Sequence, residues 1–113
     1  MNRHSKSTEE HEMAQSPGLF LSWSKRTLFE MFNDLRFGRL MIDNCGQHYS
    51  FGNTQAENSP TVNVVVHNQR FYPDVLFKGS LGAAESYMKG YWTTDNLTGV
   101  VRLIVANIDL LNR

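Results

Sequence analysis

The sequence predicts one α+β domain, in which an N-terminal helix, a three-stranded antiparallel sheet, short helices and a long C-terminal helix follow one another. Residues 39–66 hold three short apolar runs separated by turn residues, whereas the flanking segments place their apolar residues at helical spacing. Because the strands are grouped and do not alternate with helices, this pattern favours an α+β arrangement. A length of 113 residues suits a single domain.

The first 18 residues are predicted to be a disordered tail. They contain no Leu, Ile, Val or aromatic side chain, so burial there cannot offset the entropy of ordering. The domain is therefore expected to span residues 19–113. Its first helix is predicted over residues 23–37, where apolar residues recur at helical spacing, and Gly38 is expected to end it.

Three strands are predicted next. Residues 39–43 and 47–52 flank a turn that contains Asn44 and Gly46, which is typical of a β-hairpin. Residues 61–67 contain four valines, and such β-branched residues favour a third strand.

The second half of the chain returns to helical spacing. Two short helices are predicted, one from Asn68 to Gly79 and one over residues 82–89, followed by a brief strand at 91–93. Thr94 or Asp95 is expected to cap a long last helix. Its apolar residues cover a wide surface, which indicates either a central helix or one face packed on a neighbouring domain: Leu97, Val100, Val101, Ile104, Val105, Ile108 and Leu111.

Composition and charge exclude several classes of function. Lys+Arg 11 balance Asp+Glu 11, so there is no electrostatic basis for a nucleic-acid binder. The single cysteine, Cys45, cannot form an internal disulfide, which favours a reducing compartment. No apolar run reaches the ~18 residues that a membrane span needs. We expect a cytoplasmic protein and leave open a peripheral contact with the inner membrane face.

Three patterns that could carry chemistry have simpler interpretations. Ala83 and Ala84 follow the glycine-rich residues 79–82 where a phosphate-binding loop needs Lys and Ser or Thr, so a tight turn between helices is favoured. The four histidines show no metal-binding spacing, and no metal site is expected. Cys45 and His48 could pair as nucleophile and base, but an inert cysteine at a turn is favoured.

Aromatic residues crowd the C-terminal half together with Met88. Core packing is the favoured interpretation, although an apolar cavity or an interface would use the same residue types. The aromatic residues are Phe71, Tyr72, Phe77, Tyr87, Tyr91 and Trp92.

A series of short motifs distinguishes this aromatic segment. Gly-Ser-Leu-Gly stands at 79–82, Glu-Ser-Tyr-Met at 85–88 and Gly-Tyr-Trp at 90–92, followed by Asp95 and Leu97. These motifs resemble the N-terminal domain of cyclopropane-fatty-acyl-phospholipid synthases and their S-adenosylmethionine-dependent relatives. The resemblance covers most of residues 28–107.

The resemblance implies a division of labour between two domains. In this family a C-terminal methyltransferase domain binds S-adenosylmethionine and transfers a methylene or methyl unit to the double bond of an unsaturated phospholipid acyl chain. The chain would then be the non-catalytic accessory domain, inactive alone and without a cofactor of its own. It would dock on its catalytic domain and help to handle lipid, and S-adenosylmethionine is expected only in that catalytic domain.

The resemblance also implies which residues matter. The expected lipid or interdomain contacts are Glu85, Tyr87, Met88, Tyr91 and Trp92, and the expected turn residues are Gly79, Ser80, Gly82 and Gly90. The expected partners are the catalytic domain and phospholipid acyl chains, with a homodimer left open and no nucleic acid.

Two alternatives remain at this point. A weaker resemblance to sterol-carrier-protein-like domains suggests a free-standing lipid carrier whose apolar cavity is lined by strand valines together with Tyr87, Met88 and Trp92. In a purely structural alternative the aromatics are core residues, and the domain only stabilises or dimerises its catalytic partner.

Overall fold

The computed structural model describes residues 17–53 and 61–112, which form an α+β fold. Its helices are α1 (Pro17–Phe32), α2 (Phe71–Met88), α3 (Leu97–Ala106) and α4 (Ile108–Leu111). Its strands are β1 (Gly38–Asn44), β2 (Gln47–Asn53), β3 (Thr61–Val66) and β4 (Trp92–Thr93). Most of the predicted tail lies outside the described residues, while Pro17 and Gly18 begin α1.

The four strands form one mixed sheet in the order β2-β1-β3-β4. β1 and β2 make the predicted antiparallel hairpin, and β4 adds to β3 in antiparallel orientation. β3 instead pairs in parallel with β1, which places Leu40 opposite Val62 and Ile42 opposite Val64. The predicted three-stranded antiparallel sheet is therefore wrong. The third strand joins the free edge of β1, where its valines extend the buried apolar face of that strand.

Helix α1 begins and ends earlier than its apolar spacing predicts. Pro17 suits the first turn of a helix because its missing N–H needs no partner there. After Phe32 the chain leaves through a tight turn, in which the Leu35 N–H donates to the Phe32 carbonyl at 3.1 Å. Leu35 is buried although it lies beyond the helix. Its burial explains why apolar spacing alone places the helix end too late.

The predicted long C-terminal helix is also wrong, because the chain breaks at Asn107 into α3 and α4. The Asn107 side chain is buried and leaves the helical pattern to bond elsewhere. Its Nδ2 donates to the carbonyl oxygens of Phe37 at 2.8 Å and Leu103 at 2.9 Å. Its Oδ1 accepts from the backbone N–H groups of Arg36 at 3.0 Å and Phe37 at 3.2 Å. This one side chain ties the C-terminal helices to the entry of β1.

Helix α3 is capped by Asn96, the residue after the two expected caps Thr94 and Asp95. The Asn96 side chain accepts a hydrogen bond from the Gly99 N–H at 2.9 Å, which satisfies a free donor of the first turn. Thr94 instead supports the cap, because its hydroxyl accepts from the Asn96 N–H at 3.2 Å and donates to the Asn63 carbonyl on β3.

One face of the sheet packs against the helices and forms the hydrophobic core. On the opposite face of the sheet Met41 and Asn63 are exposed. The core residues contributed by the strands include Leu40, Ile42, Phe51, Val62, Val64 and Val66, and those from the helices include Leu28, Phe32, Phe71, Tyr72, Val75, Val100 and Leu103.

Candidate functional site

Helix α2 is sharply broken at Gly79, within the motif segment. Gly79 has φ 61 and ψ −134, a backbone conformation that suits glycine. Asp74 and Gly82 are eight positions apart, which in a straight helix means ~12 Å of rise. A methyl group on Gly82 would instead lie 2.6 Å from the Asp74 carbonyl carbon. The two halves of α2 therefore fold back onto each other, and Gly82 allows their close approach.

Two polar contacts hold the halves of α2 together. The Ser86 hydroxyl is buried and donates to Oδ2 of Asp74 at 2.9 Å. The Lys78 ammonium lies 3.1 Å from Oε1 of Glu85 in a partly exposed ion pair. An exposed pair of this kind contributes only ~0–1 kcal/mol. Glu85 thus has a partner within the domain, although its carboxylate remains accessible.

Leu111 and Asn112 pack against the glycine-rich turn. The Ser80 N–H and hydroxyl both donate to Oδ1 of Asn112, at 3.0 and 3.2 Å. A methyl group on Gly79 would lie 2.6 Å from the Leu111 carbonyl oxygen. The Leu111 carbonyl and the Asn112 side chain therefore lie directly against the glycine-rich residues.

Trp92 lies inside the core and not on the surface. It is 3% exposed, and its Nε1 donates to the Ala83 carbonyl oxygen at 2.9 Å. The ring of Tyr87 packs on its outer side with the ring centroids 5.0 Å apart. Trp92 can position Tyr87, but its own side chain is too buried to contact a partner.

The other candidate residues are more accessible. Met88 is 77% exposed and Tyr87 is 37% exposed, so both are available to a partner. Tyr91 is half-buried, with the Lys89 ammonium 5.7 Å from its ring centroid. Gly90 is exposed and has φ 78, so it provides the turn from α2 into β4. The predicted set therefore divides into buried packing groups and an exposed end of α2.

Helix α3 presents a second apolar surface to solvent. Leu97, Val101 and Val105 recur at every fourth position and are 41%, 50% and 64% exposed. We call these three residues the aliphatic stripe. Val100 and Leu103, on the other side of the helix, are buried in the core. Their sequence spacing already indicates two apolar faces, and the structure identifies which face is left uncovered.

A third apolar surface, not singled out in the sequence, joins α1 to α2. The rings of Phe20, Trp23 and Phe77 stack on one another with centroids 6.1 to 6.3 Å apart. We call these three residues the aromatic patch. Two of its members are three positions apart on α1, but their contact with Phe77 depends on how the helices pack. The spacing of these residues in the sequence therefore does not predict the aromatic patch.

The core also contains a small apolar cavity. Its volume is about 50 Å³, and its wall includes Phe32, Ile42, Val75, Trp92, Val100 and Leu103. Pockets that hold ligands usually have volumes of ~300–1,000 Å³. The cavity is thus far smaller than the space that an acyl chain requires.

Within residues 17–53 and 61–112 no three His, Cys, Asp or Glu side chains are placed to hold a metal ion. Across the same ranges no helix has the length and apolarity that a bilayer crossing demands. Cys45 is an exposed free thiol at the hairpin turn.

No protein-family model matches the chain, and neither a curated protein nor a solved structure is significantly similar to it.

Proposed function

We propose that this chain is the N-terminal accessory domain of an enzyme like the cyclopropane-fatty-acyl-phospholipid synthases. In this proposal a separate catalytic domain binds S-adenosylmethionine and transfers a one-carbon unit to unsaturated phospholipid acyl chains. The motifs at 79–82, 85–88 and 90–92 suggest the family. The aliphatic stripe of α3 is the observation that carries the accessory role, because it supplies a surface for docking.

The aliphatic stripe has no packing role within the described part of the domain. Val101 and Val105 are half-exposed or more while the opposite side of α3 is buried. Burying a Val or Leu side chain fully stabilises a protein by ~1.5–3 kcal/mol, and a half-exposed side chain has part of that still to gain. Covering the stripe with a second domain would recover this free energy. Aliphatic side chains without flanking aromatics suit a protein partner.

The exposed end of α2 offers a second contact in this proposal. The Tyr87 ring packs against the buried Trp92, which fixes its position, and the exposed Met88 is the next residue in the chain. Tyr and Met side chains adapt to apolar partners, and both residue types are enriched at the cores of interfaces. We place acyl-chain or interdomain contact at this end of α2, with Glu85 and Tyr91 at its edge.

The lipid-carrier alternative receives less support. A carrier must enclose its ligand, and the cavity of about 50 Å³ is smaller than that task requires. Val62, Val64 and Val66 pack in the core. Surface contact with lipid and with a catalytic domain therefore explains the exposed apolar residues better than internal storage does.

The proposal is tested on the native protein. It is immunoprecipitated from its source cells with an antibody against this chain, then incubated with methyl-labelled S-adenosylmethionine and vesicles of an unsaturated phospholipid. We expect label in the recovered fatty acids. A precipitation blocked by excess purified chain is the control. Label no higher than in that control would overturn the proposal.

A further inference from the structure

The free edge of β2 is long and uncharged. β2 lies at one end of the sheet, has seven residues and contains no Pro, Lys, Arg, Asp or Glu. It pairs with β1 one to one, from Gly38 opposite Asn53 to Asn44 opposite Gln47, so no bulge interrupts the strand. Natural sheets commonly protect their edges with short strands, bulges, Pro or charged side chains. The opposite edge is β4, which has only two residues, so β2 is the edge suited to pairing with another strand.

The hairpin geometry determines which backbone groups of β2 face outward. The turn between β1 and β2 has two residues, so Asn44 and Gln47 form a hydrogen-bonded pair. Hydrogen-bonded and non-hydrogen-bonded pairs alternate along an antiparallel ladder. The N–H and C=O groups of His48 and Ser50 therefore point away from β1, and no other strand in the described ranges pairs with them.

Helix α1 runs alongside this edge and carries opposite charges next to it. The ring centroid of Phe29 lies 4.7 Å from that of Tyr49 and 4.8 Å from that of Phe51, so Phe29 is level with the middle of β2. Arg26 and Glu30 are exposed and line the groove between α1 and Tyr49. In the described part of the chain neither of these two side chains has an ion-pair partner.

We infer that β2 pairs in antiparallel orientation with β2 of a second copy of this chain, with Ser50 on the two-fold axis. The two Ser50 residues would exchange N–H···O bonds, and the two sheets would join into one continuous sheet. On the α1 side of the sheet, Arg26 precedes Phe29 and Glu30 follows it. The same axis therefore brings Arg26 of each copy toward Glu30 of the other.

Charge favours a second copy over another kind of partner. A two-fold contact places the same surface on both sides, so that surface must be complementary to itself. Pairing of β2 with itself opposes no like charges, and Arg26 with Glu30 is self-complementary in the antiparallel arrangement. The formal net charge of the chain is +0, so two copies do not repel each other at long range. This inference concerns assembly and holds or fails independently of the proposed function.

Sedimentation equilibrium of the purified 113-residue chain measures the assembly directly. Over a concentration series that ends at ~1 mM, the mass should rise from 13.0 kDa toward twice that value and stop there. A mass of 13.0 kDa throughout the series would overturn the inference. A mass that keeps rising past the dimer would also overturn it, because two-fold pairing leaves no β2 edge free.

Lysine variants identify the surface that pairs. Ser50→Lys places two ammonium groups opposite each other on the axis, so the dimer should weaken at least fivefold. Met41→Lys is the matched control, because Met41 is exposed and lies opposite Ser50 on β1, on the same face of the sheet but not at its edge. The control should dimerise within twofold of the parent chain. Equal weakening in the two variants would contradict pairing through β2.

Mixing two variants tests the position of the axis. Ser50→Lys and Ser50→Glu should each dimerise poorly alone, whereas an equimolar mixture should form a one-to-one dimer, because opposite charges then meet at the axis. No recovery in the mixture would contradict the placement of Ser50 on the axis.

A charge reversal tests the contact between the two α1 helices. Arg26→Glu should weaken the dimer, because it places acidic side chains opposite each other. The double variant Arg26→Glu/Glu30→Arg should dimerise within twofold of the parent, since its charges are again complementary across the axis. A double variant as weak as the single one would contradict this contact.

Discussion

The indole Nε1 of Trp92 donates a hydrogen bond of 2.9 Å to the carbonyl oxygen of Ala83. This bond joins the strand that follows Gly90 to the second half of α2, inside the core. The motif residues thereby acquire two roles. Trp92, Gly79 and Gly82 fix the shape of the segment, and that shape holds Tyr87 and Met88 at the surface.

Replacing Trp92 should test its packing role. Trp92→Ala leaves a cavity and removes the donor to Ala83, so we expect the free energy of unfolding to fall by ~3–5 kcal/mol. Urea unfolding followed by far-UV circular dichroism measures this change. Met88→Ala is the control, because Met88 is 77% exposed and its removal should cost less than ~0.5 kcal/mol. Lost lipid handling at unchanged stability in Trp92→Ala would contradict the packing role.

Gly82→Ala should destabilise the domain. The new methyl group would lie 2.6 Å from the Asp74 carbonyl carbon and 2.9 Å from Cβ of Lys78, so the halves of α2 would have to separate. We expect a loss of at least ~2 kcal/mol in thermal or urea unfolding. Gly18→Ala, on α1 with open space around it, should instead leave stability unchanged or raise it by up to ~1 kcal/mol. An undisturbed Gly82→Ala would mean that the halves do not pack as described.

Asn107→Asp should make stability depend on pH. The carboxylate would be buried against the carbonyl oxygens of Phe37 and Leu103, to which Asn107 now donates. Burial and these carbonyls would raise its pKa above the unfolded value of ~3.9, against the opposite effect of the Arg36 and Phe37 N–H groups that donate to Oδ1. The folded state would then bind more protons, so the deficit relative to the parent, ~1–3 kcal/mol at neutral pH, should shrink as the pH falls. Urea midpoints of both proteins at pH ~7 and ~4.5 measure it. A deficit of equal size at both values would contradict this description.

Tyr72 should influence stability in alkali. Its hydroxyl is buried and has no hydrogen-bond partner among the described residues, and burial raises its pKa well above the ordinary range. Because the folded-state pKa is the higher one, its contribution to stability is present below ~10 and is lost as the pH rises above that value.

Tyr72→Phe removes this dependence together with the unpartnered hydroxyl. We expect equal or slightly higher stability at neutral pH, by up to ~1 kcal/mol, and a smaller decline between pH ~9 and ~11. Every other side chain is the same in both proteins, so the difference between the two urea-unfolding profiles isolates Tyr72. Parallel profiles would show that the hydroxyl is not buried as described.

If the proposed accessory role holds, one-carbon transfer by the native protein should require the aliphatic stripe. The double variant Val101→Gln/Val105→Gln places two good helix formers on α3 and removes the apolar surface of the stripe. We expect unfolding of the isolated chain to change by less than ~1 kcal/mol, and one-carbon transfer by the native protein to fall at least tenfold. Arg102→Gln, an exposed polar change on the same helix, is the control and should keep the activity. Full activity in the double variant would remove the stripe from the docking surface.

The elements of the fold follow from local patterns, whereas their arrangement does not. The hairpin of β1 and β2 and the valine-rich β3 are visible in the sequence. Alternation cannot tell which edge of the hairpin β3 joins, and joining β1 makes the sheet mixed. Likewise, helical spacing runs on past Asn107, while the break depends on hydrogen bonds to Phe37, 70 positions away.

The candidate site likewise has features that the sequence pattern predicts and features that depend on tertiary packing. The glycines at 79 and 82 predict a tight turn, and in the structure Gly79 has a positive φ while Gly82 lies against the Asp74 backbone. The exposed face of α3 was implicit in the spacing of Val101 and Val105. The aromatic patch was not, because its stack forms only when α1 packs against the folded α2.

The most direct test of the accessory role is the mass of the native assembly. An antibody against this chain captures it from source cells, and native mass spectrometry gives the mass of the intact species. The proposal predicts a mass several times the 13.0 kDa of this chain, with a methyltransferase domain in the same polypeptide or complex. A free species of 13.0 kDa would contradict it and favour a stand-alone domain.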